Sequence, residues 1–468
     1  MTAPTWGLAR RARVPWLPVL CAVVPLLVFF VSSGRARISP STAVALTAAA
    51  VLMRLAVARP RAGLVVLLVA GAAVPFYDGR YVTRGLAVTP VGALCLLLLP
   101  AALGRAQQVR IVALDWAVAG YFALRVVSLL VNYGRGPGAA AGLLLSTALP
   151  YVVGRLMVTT TALARTAALA TVVVAGGLSV LAVQEHAGHG NPFFSWVTPT
   201  YQATQWARPE ERLGAIRAEA SFGHPIAFGL FLAVALALAL GLYLSSTGRA
   251  RPLLLGLSGL IVVALVATLS RGPIVVAAAA VAVLLVVGAT RVDARRVLVL
   301  MALLVAVSAA TPVLTTLTDL RQSSATVDSR EALSAQYRFK ILDVVLDPAQ
   351  FSLLGQQSEP VDAQSGVTAA TSSRTALKSI DSEFALVYLS SGLLALLGFV
   401  LVCWHVLRAA FLPRLQLVER AWAVGVAAVA VDALTVALLT QQGELWWLAV
   451  GIVGGIVQRH RASSQAAA

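Results

Sequence analysis

Long apolar segments recur along the whole chain, and this feature restricts the fold more than any other. Most reach roughly 18 residues, enough for a helix to cross the hydrocarbon core of a membrane. A backbone in lipid must satisfy its own hydrogen bonds, so only helices and closed β-barrels span membranes. A barrel would show alternating segments of about ten residues, and the sequence lacks them. The sequence therefore predicts an all-α polytopic membrane protein.

We expect about fourteen spans, or about twelve if short neighbours merge, in a single transmembrane domain covering residues 1–468. Two long loops interrupt the spans, at 184–223 and 315–380, and the second is expected to be partly helical between Ser329 and Leu346. The expected limits of the spans are 15–33, 41–58, 62–76, 86–103, 111–131, 138–157, 164–183, 224–244, 252–269, 272–289, 296–314, 381–404, 421–440 and 443–458.

The charge of the chain indicates how it is oriented rather than a nucleic-acid partner. The formal net charge is +17, but only 12% of the residues are charged, and the arginines gather in short loops between spans. The positive-inside rule then predicts that both termini are cytoplasmic and that both long loops face outward. The abundance of Ala, Val and Leu with only two lysines, Lys340 and Lys378, suggests a bacterial source. We therefore expect a bacterial cytoplasmic-membrane protein surrounded by membrane lipids.

Two arginines stand at the edge of the predicted membrane, on the side of the long loops. Arg217 precedes the span that begins at His224, and Arg271 lies between the spans 252–269 and 272–289. The planar fork of a guanidinium matches phosphate oxygens, so the two arginines together could hold a diphosphate. The structural alternative is that each side chain reaches toward lipid headgroups.

Two further polar residues lie where spans begin on the same side. His224 could position a phosphate, or it could only cap its helix. Asp381 ends the second long loop and is a candidate base, although aspartate is also a preferred residue at a helix start. Asp343, within that loop, is the second candidate for the base.

Charged residues inside predicted spans support a rival function. Asp115 and Arg125 lie on one span, ten residues apart, and Asp432 falls near the middle of another. An ion pair between helices is the structural interpretation of Arg125 and Asp432. The functional interpretation is a transporter or flippase for a lipid-linked or anionic solute, with these three residues at its centre. A midplane cavity would favour the transporter, and a cavity beneath residues 315–380 would favour an enzyme.

The chain offers little for a metal or another cofactor, and we predict neither. The cysteines Cys21, Cys95 and Cys403 all fall in apolar segments without metal-ligand spacing. A metal-dependent membrane glycosyltransferase would be expected to have more than one acid in its early outer loop, where only Asp78 occurs. Arginines could neutralise a departing diphosphate without a cation.

Four short motifs resemble the O-antigen ligase and O-antigen polymerase (Wzy) superfamily in order and spacing over roughly residues 210–400. Arg217-x-Glu-x-x-Phe-Gly-His224-Pro225 resembles the segment with its first outer-face arginine, and Leu269-Ser270-Arg271-Gly272 its second. Tyr337-Arg338 with Leu353-Leu354-Gly355-Gln356 is similar to a stretch of its large outer loop. Asp381-Ser382-x-Phe384, with Gly392 and Gly398, resembles the helix that follows that loop.

The resemblance implies a GT-C-like membrane fold and an inverting, metal-independent glycosyltransferase. It would move a glycan from a polyprenyl-diphosphate carrier, such as undecaprenyl diphosphate, to a glycan or lipid acceptor on the outer face of the cytoplasmic membrane. It also implies that Arg217 and Arg271 bind the donor diphosphate, and we add Arg338 and His224 as assistants. Ligases of this superfamily have a histidine near the position of Asp381, whereas residues 315–380 contain none. This departure favours a polymerase-like or other surface-glycan transferase.

Overall fold

The computed structural model describes thirteen helices, three short hairpins and the turns between them. The predicted spans 15–33 and 296–314, most of the predicted span 41–58, most of the expected helix from Ser329 to Leu346, and the residues Arg338, Asp343 and Asp381 lie outside the described residues. The described residues are 53–75, 80–83, 86–132, 136–196, 209–212, 214–288, 344–348, 351–355, 369–370, 376–377, 382–438 and 440–467.

The helices follow the apolar segments of the sequence. They are α1 Pro60–Ala73, α2 Pro90–Leu103, α3 Ala113–Asn132, α4 Gly136–Leu143, α5 Leu149–Met157, α6 Thr161–Gln184, α7 Pro192–Trp196, α8 Pro225–Ser245, α9 Ala250–Ala267, α10 Arg271–Gly288, α11 Glu383–Ala410, α12 Leu417–Asp432 and α13 Thr440–Ala467. Residues 53–58 and 344–346 are also helical. Two π-helical turns, Leu144–Ala148 and Glu185–His189, continue α4 into α5 and extend α6.

The strands form small antiparallel hairpins outside the long helices. The pairs are β1 Arg80–Thr83 with β2 Leu86–Val88, β3 Glu210–Arg212 with β4 Ala215–Arg217, and β5 Ala369–Ala370 with β6 Ala376–Leu377. The hairpin β1–β2 corrects the expected span 86–103, whose helix begins only at Pro90. Thr89 caps that helix by accepting a hydrogen bond from the Gly92 amide, so the apolar residues before it are left to a strand.

The prediction of an all-α polytopic membrane protein is confirmed. Within the described part of the chain, six helical segments are long and apolar enough to cross a membrane. Three shorter apolar helices accompany them, Pro60–Ala73, Pro90–Leu103 and Arg271–Val286. The six segments are Ala113–Asn132, Pro137–Met157, Thr161–His189, Pro225–Ser245, Ala250–Ala267 and Glu383–Ala410.

Helix α8 lies at the centre of the bundle and determines where the site is built. Within its most apolar window, 94% of the residues are buried. It contacts α6, α9, α10 and α12, as expected for a helix that is apolar on every face. It begins at Pro225, and the side chain of His224 accepts a hydrogen bond from the Ile226 amide at 3.2 Å. The start of the central helix therefore presents His224 at one end of the bundle.

We call this end, where Arg217 and His224 lie, the Arg217 end, and the other the Asp115 end. At the Asp115 end, Arg155 binds Asp115 at 2.8 Å, and Arg459 binds Glu419 at 2.8 Å. The residues near the C-terminal end of α13 take part in these contacts, since Gln458 accepts a hydrogen bond from Arg155. Helix α13 therefore runs from the Arg217 end to the Asp115 end.

Glycines allow α5 and α13 to approach closely at the Asp115 end. A Cβ atom on Gly154 would lie 2.1 Å from the Leu448 carbonyl oxygen, and one on Gly451 would lie 2.2 Å from that of Tyr151. Small residues at such crossings let helix backbones pack directly in membranes. The backbone contact holds α13 against the helix that carries Arg155.

Candidate functional site

The hairpin β3–β4 docks onto the turn between α9 and α10. The amide of Ala218 donates to the carbonyl of Ala267 at 3.0 Å, and Arg212 donates to the carbonyl of Leu269 at 3.1 Å. These bonds satisfy carbonyls that the end of a helix would otherwise leave unpaired. Leu269 has a φ of +50°, in the left-handed region that few side chains adopt. The hairpin thus fixes the turn from which α10 starts.

Arg217 joins this turn through all three nitrogens of its side chain. Its Nε donates to the Thr268 carbonyl at 3.1 Å, and one terminal nitrogen donates to the Ser270 hydroxyl at 2.8 Å. The other terminal nitrogen binds the Glu210 carboxylate at 2.7 Å. Burial lowers the pKa of Arg217, and the charge of Glu210 opposes that shift. An arginine nevertheless stays charged near neutral pH, so the site holds a fixed cation.

Arg271 is the first residue of α10 and is half-buried. It follows Ser270 directly in the chain, and Ser270 is the residue that accepts the hydrogen bond from Arg217. The segments carrying the two predicted diphosphate-binding arginines therefore meet in space, although 53 positions separate Arg217 from Ser270 in sequence.

His224 lies beside the same carboxylate as Arg217. Its Nε2 is 3.7 Å from one oxygen of Glu210, while the other oxygen of Glu210 binds Arg217. Its Nδ1 accepts the hydrogen bond from Ile226, so the ring both caps α8 and borders the site. Glu210 thus bridges two of the predicted site residues. Sequence reasoning missed Glu210, because only the cross-strand register of the hairpin pairs it with Arg217.

Two buried acids lie behind the hairpin. Glu185, on the π-helical turn, accepts hydrogen bonds from the amides of Glu219 and Ala220 and from the Asn191 side chain. Glu219 is fully buried, and neither of its carboxylate oxygens has a hydrogen-bond partner among the described residues. Burial raises the pKa of Glu219 well above its ordinary value, and the nearby Glu185 raises it further. Glu219 favours the neutral form here.

A break in α11 forms a second element toward the same end. Gly392 has a φ of +83°, which interrupts the helix. Residues 351–355 insert beside this break, where the amides of Leu393 and Leu394 donate to the carbonyls of Ser352 and Leu353 at 2.9 and 3.2 Å. Non-helical backbone at membrane depth is tolerated where protein or a water-filled cavity satisfies it. Leu353–Gly355 and Gly392, which belong to two of the four motifs that resemble the superfamily, are therefore in contact.

Two polar residues of α3 hold the inserted segment and were not singled out from sequence. Asn132 donates to the Leu354 carbonyl, and the hydroxyl of Ser128 donates to the Ser390 carbonyl at 3.4 Å. Their spacing of four positions places them on one face of α3. A Ser-x-x-x-Asn pattern near the end of an apolar span was the available signal.

Asp381, Asp343 and Arg338 lie outside the described residues. The described neighbours of Asp381 are anchored, since Ser382 caps α11 by accepting from the Ala385 amide at 3.3 Å. The amide of Glu383 donates to the Ala433 carbonyl at 2.9 Å, and its carboxylate accepts from the Leu438 amide at 2.9 Å. The start of α11 is thereby fixed to the end of α12.

The charged residues of the rival interpretation are not all gathered at the midplane. Asp115 pairs with Arg155 at its own end of the bundle, and Arg125 donates to the Tyr121 hydroxyl on the same helix. Asp432 was expected near the middle of a span, and this placement is wrong because α12 ends at that residue. A Cβ atom on Gly272 would lie 3.0 Å from its carboxylate, so Asp432 borders the start of α10.

One family model matches part of the chain. Residues 256–400 match the family model Wzy_C, described as O-Antigen ligase. The match begins in α9 and includes the turn bound by Arg217, Arg271, the inserted segment and the break at Gly392. No curated protein matches the chain. The protein is therefore a multi-pass membrane protein, and its residues 256–400 are similar to the O-antigen ligase family, which supports the O-antigen ligase and polymerase superfamily.

Proposed function

We propose that the protein is a metal-independent, inverting glycosyltransferase of the ligase or polymerase type. It moves a glycan from a polyprenyl-diphosphate carrier to a glycan or lipid acceptor at the Arg217 end, on the outer face of the cytoplasmic membrane. The family match supports a ligase- or polymerase-type enzyme that handles glycans in a membrane. The donor, the acceptor, the side of the membrane and the residue roles given below are parts of the proposal.

The observation that carries the proposal is the contact between Arg217 and Ser270. This hydrogen bond, at 2.8 Å, brings one predicted diphosphate-binding arginine to the residue that precedes the other. Two arginines on neighbouring backbone segments suit a diphosphate, because the terminal nitrogen of Arg217 that binds Glu210 can donate to one phosphate group and the guanidinium of Arg271 to the other. Arg338 and His224 assist them in the proposal.

The reaction needs charge stabilisation at the leaving group and a proton acceptor at the attacking group. The acceptor hydroxyl attacks the anomeric carbon of the donor while the bond from that carbon to the diphosphate oxygen breaks. Arg217 and Arg271 stabilise the negative charge that develops on the departing diphosphate. The hydroxyl proton passes to Asp381, which must lie within hydrogen-bond reach, and Asp343 is the second candidate.

Purified protein in nanodiscs, supplied with a polyprenyl-diphosphate oligosaccharide and an acceptor glycan, tests the arginine roles by release of the carrier. Losing one charge-assisted contact in a site of this kind lowers the rate about 10²- to 10³-fold, so Arg271→Ala and Arg217→Ala should each fall in that range. Arg271→Lys should recover little, because an ammonium group lacks the bidentate fork. Arg249, exposed before α9, provides a matched control as Arg249→Ala. Normal transfer by Arg271→Ala would remove the basis of the proposal.

The base is tested in the same assay by two single substitutions. Asp381→Asn should leave donor binding intact and slow transfer, since the amide cannot accept the hydroxyl proton. Slow transfer by Asp343→Asn with normal transfer by Asp381→Asn would move the role to Asp343. Normal transfer by both variants would contradict the base assignment while leaving the arginine assignment standing.

A further inference from the structure

Among the three described groups that accept hydrogen bonds from the Arg217 side chain, only Glu210 is charged, although the charges of Arg212 and Glu219 also act on Arg217. The Thr268 carbonyl and the Ser270 hydroxyl are uncharged and belong to the buried turn. Glu210 lies on the neighbouring strand and remains 36% exposed, whereas the side chain of Arg217 is 12% exposed. The contacts with Thr268 and Ser270 hold the guanidinium of Arg217 in place. The contact with Glu210 neutralises its charge on the side that solvent can reach.

The carboxylate of Glu210 has the geometry of a bound anion. One oxygen lies 2.7 Å from a terminal nitrogen of Arg217, and the other lies 3.7 Å from Nε2 of His224. A phosphate held by an arginine and a histidine would place its oxygens in the same two positions. A diphosphate that binds the outward nitrogen of Arg217 therefore has to displace Glu210.

We propose that the Glu210 carboxylate takes the place of the donor diphosphate beside Arg217 and His224 when no donor is bound. In this position, Glu210 excludes singly charged lipid phosphates from the site. This inference rests on the proposed function, because it takes the diphosphate as the ligand of Arg217. It assigns selectivity among anions to a residue that takes no part in the chemical step.

The selectivity follows from a comparison of charges. An anionic phospholipid such as phosphatidylglycerol carries one net negative charge, as Glu210 does, so exchanging the two gains little electrostatic free energy. A diphosphate ester carries several negative charges and can contact Arg271 as well as Arg217, so it gains by the exchange. Phospholipids surround the protein in great excess, and Arg217 without the Glu210 carboxylate would collect anionic headgroups. Glu210 keeps the site open to the donor alone.

Binding of farnesyl diphosphate to the full-length protein in nanodiscs tests this inference. Two lipid compositions are compared, phosphatidylcholine alone and phosphatidylcholine with phosphatidylglycerol. The wild type should bind the probe equally in both. Glu210→Gln should bind it roughly fivefold more tightly in phosphatidylcholine, the effect of removing one partly exposed ion pair, and should lose that gain as phosphatidylglycerol is added.

Glu211 provides the matched control. It is the next residue on the same strand, carries the same charge and is exposed, and it opposes Ile216 rather than Arg217. Glu211→Gln should therefore behave as the wild type does in both lipid compositions. Glu210→Asp keeps the charge and should retain the insensitivity to phosphatidylglycerol, which separates displacement from a general disturbance of the hairpin.

The outcomes distinguish the inference from the function on which it rests. If Arg217→Ala abolishes binding while Glu210→Gln and Glu211→Gln behave alike, the stand-in role of Glu210 is wrong and the diphosphate site remains. Weaker binding by Glu210→Gln in both lipids would also overturn it, since Glu210 would then only position Arg217. If Arg217→Ala binds the probe as well as the wild type does, the diphosphate site itself is contradicted.

Discussion

At the residue scale, the side chain of Arg217 links a hairpin, a turn and a helix start that are distant in sequence. It donates to Thr268 and Ser270 from a strand that pairs with Glu210. The carboxylate of Glu219, two positions further along, has no hydrogen-bond partner within the described structure. The same short segment thus holds an acid that stabilises its arginine and another that is isolated from water.

Glu219 should make the stability of the protein depend on pH. Its pKa is raised by burial and by Glu185, so the folded state keeps a proton that the unfolded chain has already lost. Stability should therefore fall as pH rises from the ordinary carboxyl range toward the raised pKa of Glu219. Glu219→Gln has no carboxyl group to ionise at this position and should not lose stability in this way. Its thermal unfolding temperature in detergent should therefore exceed that of the wild type, by a margin that grows as the pH becomes alkaline.

The matched control for Glu219 is Glu211→Gln, which removes an exposed carboxylate of the neighbouring hairpin. Its curve of unfolding temperature against pH should follow that of the wild type. Parallel curves for the wild type and Glu219→Gln would show that Glu219 does not titrate differently in the two states.

At the element scale, the broken helix α11 depends on a segment that precedes it by about thirty residues in the chain. Residues 351–355 supply carbonyls to the amides freed at Gly392, and α3 binds both partners through Ser128 and Asn132. The break, the inserted segment and α3 therefore act as one unit. A substitution that breaks the hydrogen bonds of any one of these three elements should also weaken the packing of the other two.

Gly392→Ala should destabilise this unit. An added Cβ would lie 2.3 Å from the amide nitrogen of Gly355, and the φ of +83° is unfavourable for alanine. The backbone strain alone costs about 1–3 kcal/mol, and the contact with Gly355 adds to it. We expect a lower unfolding temperature in detergent and easier proteolysis near residues 351–355.

Gly120→Ala is the control for this substitution, because no atom lies within 4 Å of its added Cβ and the residue sits inside a regular helix. It should be neutral or slightly stabilising, since alanine favours helix more than glycine does. Equal unfolding temperatures for Gly392→Ala and the wild type would mean that the break relaxes without cost.

The helices could be predicted from sequence more completely than the site could. The expected spans 224–244 and 252–269 correspond to α8 and α9 within two residues, because a continuous apolar run leaves few alternatives in lipid. The expected span 421–440 extended too far, since α12 ends at Asp432 and a turn follows. Apolar residues continue through that turn, so hydropathy carried no signal of its start.

The site residues missed from sequence share a physical cause. Glu210 and Ser270 become important only when a hairpin docks on a helical turn, and short-range patterns do not encode that docking. The positions of Arg217 and Arg271 could be singled out because charge at a membrane edge is conspicuous. That they lie on the same side was expected from sequence, whereas the contact of Arg217 with Ser270, next to Arg271, is seen only in the tertiary structure.

At the scale of the whole molecule, the two ends of the bundle differ in their polar contacts. The Arg217 end contains strained turns, a buried acid whose carboxylate has no hydrogen-bond partner among the described residues, and a carboxylate that lies between an arginine and a histidine. The Asp115 end contains ion pairs with several hydrogen bonds, among them the contacts from Arg155 to Asp115, Gln458 and the Arg110 carbonyl. We infer that one end is built for ligand exchange and the other for stability.

Asp115→Asn should lower stability without changing the rate of transfer per folded molecule. It leaves the buried guanidinium of Arg155 without its counter-charge, which costs about 3–5 kcal/mol. Adding Arg155→Met should recover part of this loss, because the unpaired charge is then absent. Unfolding temperature and carrier release, measured on the same preparations, give the two quantities. A complete loss of transfer in well-folded Asp115→Asn protein would contradict a purely structural role for Asp115.

The burial of α8 has a consequence for how the protein responds to its bilayer. A span that touches lipid tilts when the hydrocarbon layer thins or thickens, because its apolar length has to match the new thickness. Helix α8 has 94% of its apolar window covered by protein, so little of it meets the acyl chains. Helices with open faces, such as α3 and α9, adjust to the bilayer while α8 keeps its orientation. His224, at the start of α8, is thereby insulated from changes in membrane thickness as the cell alters its lipids.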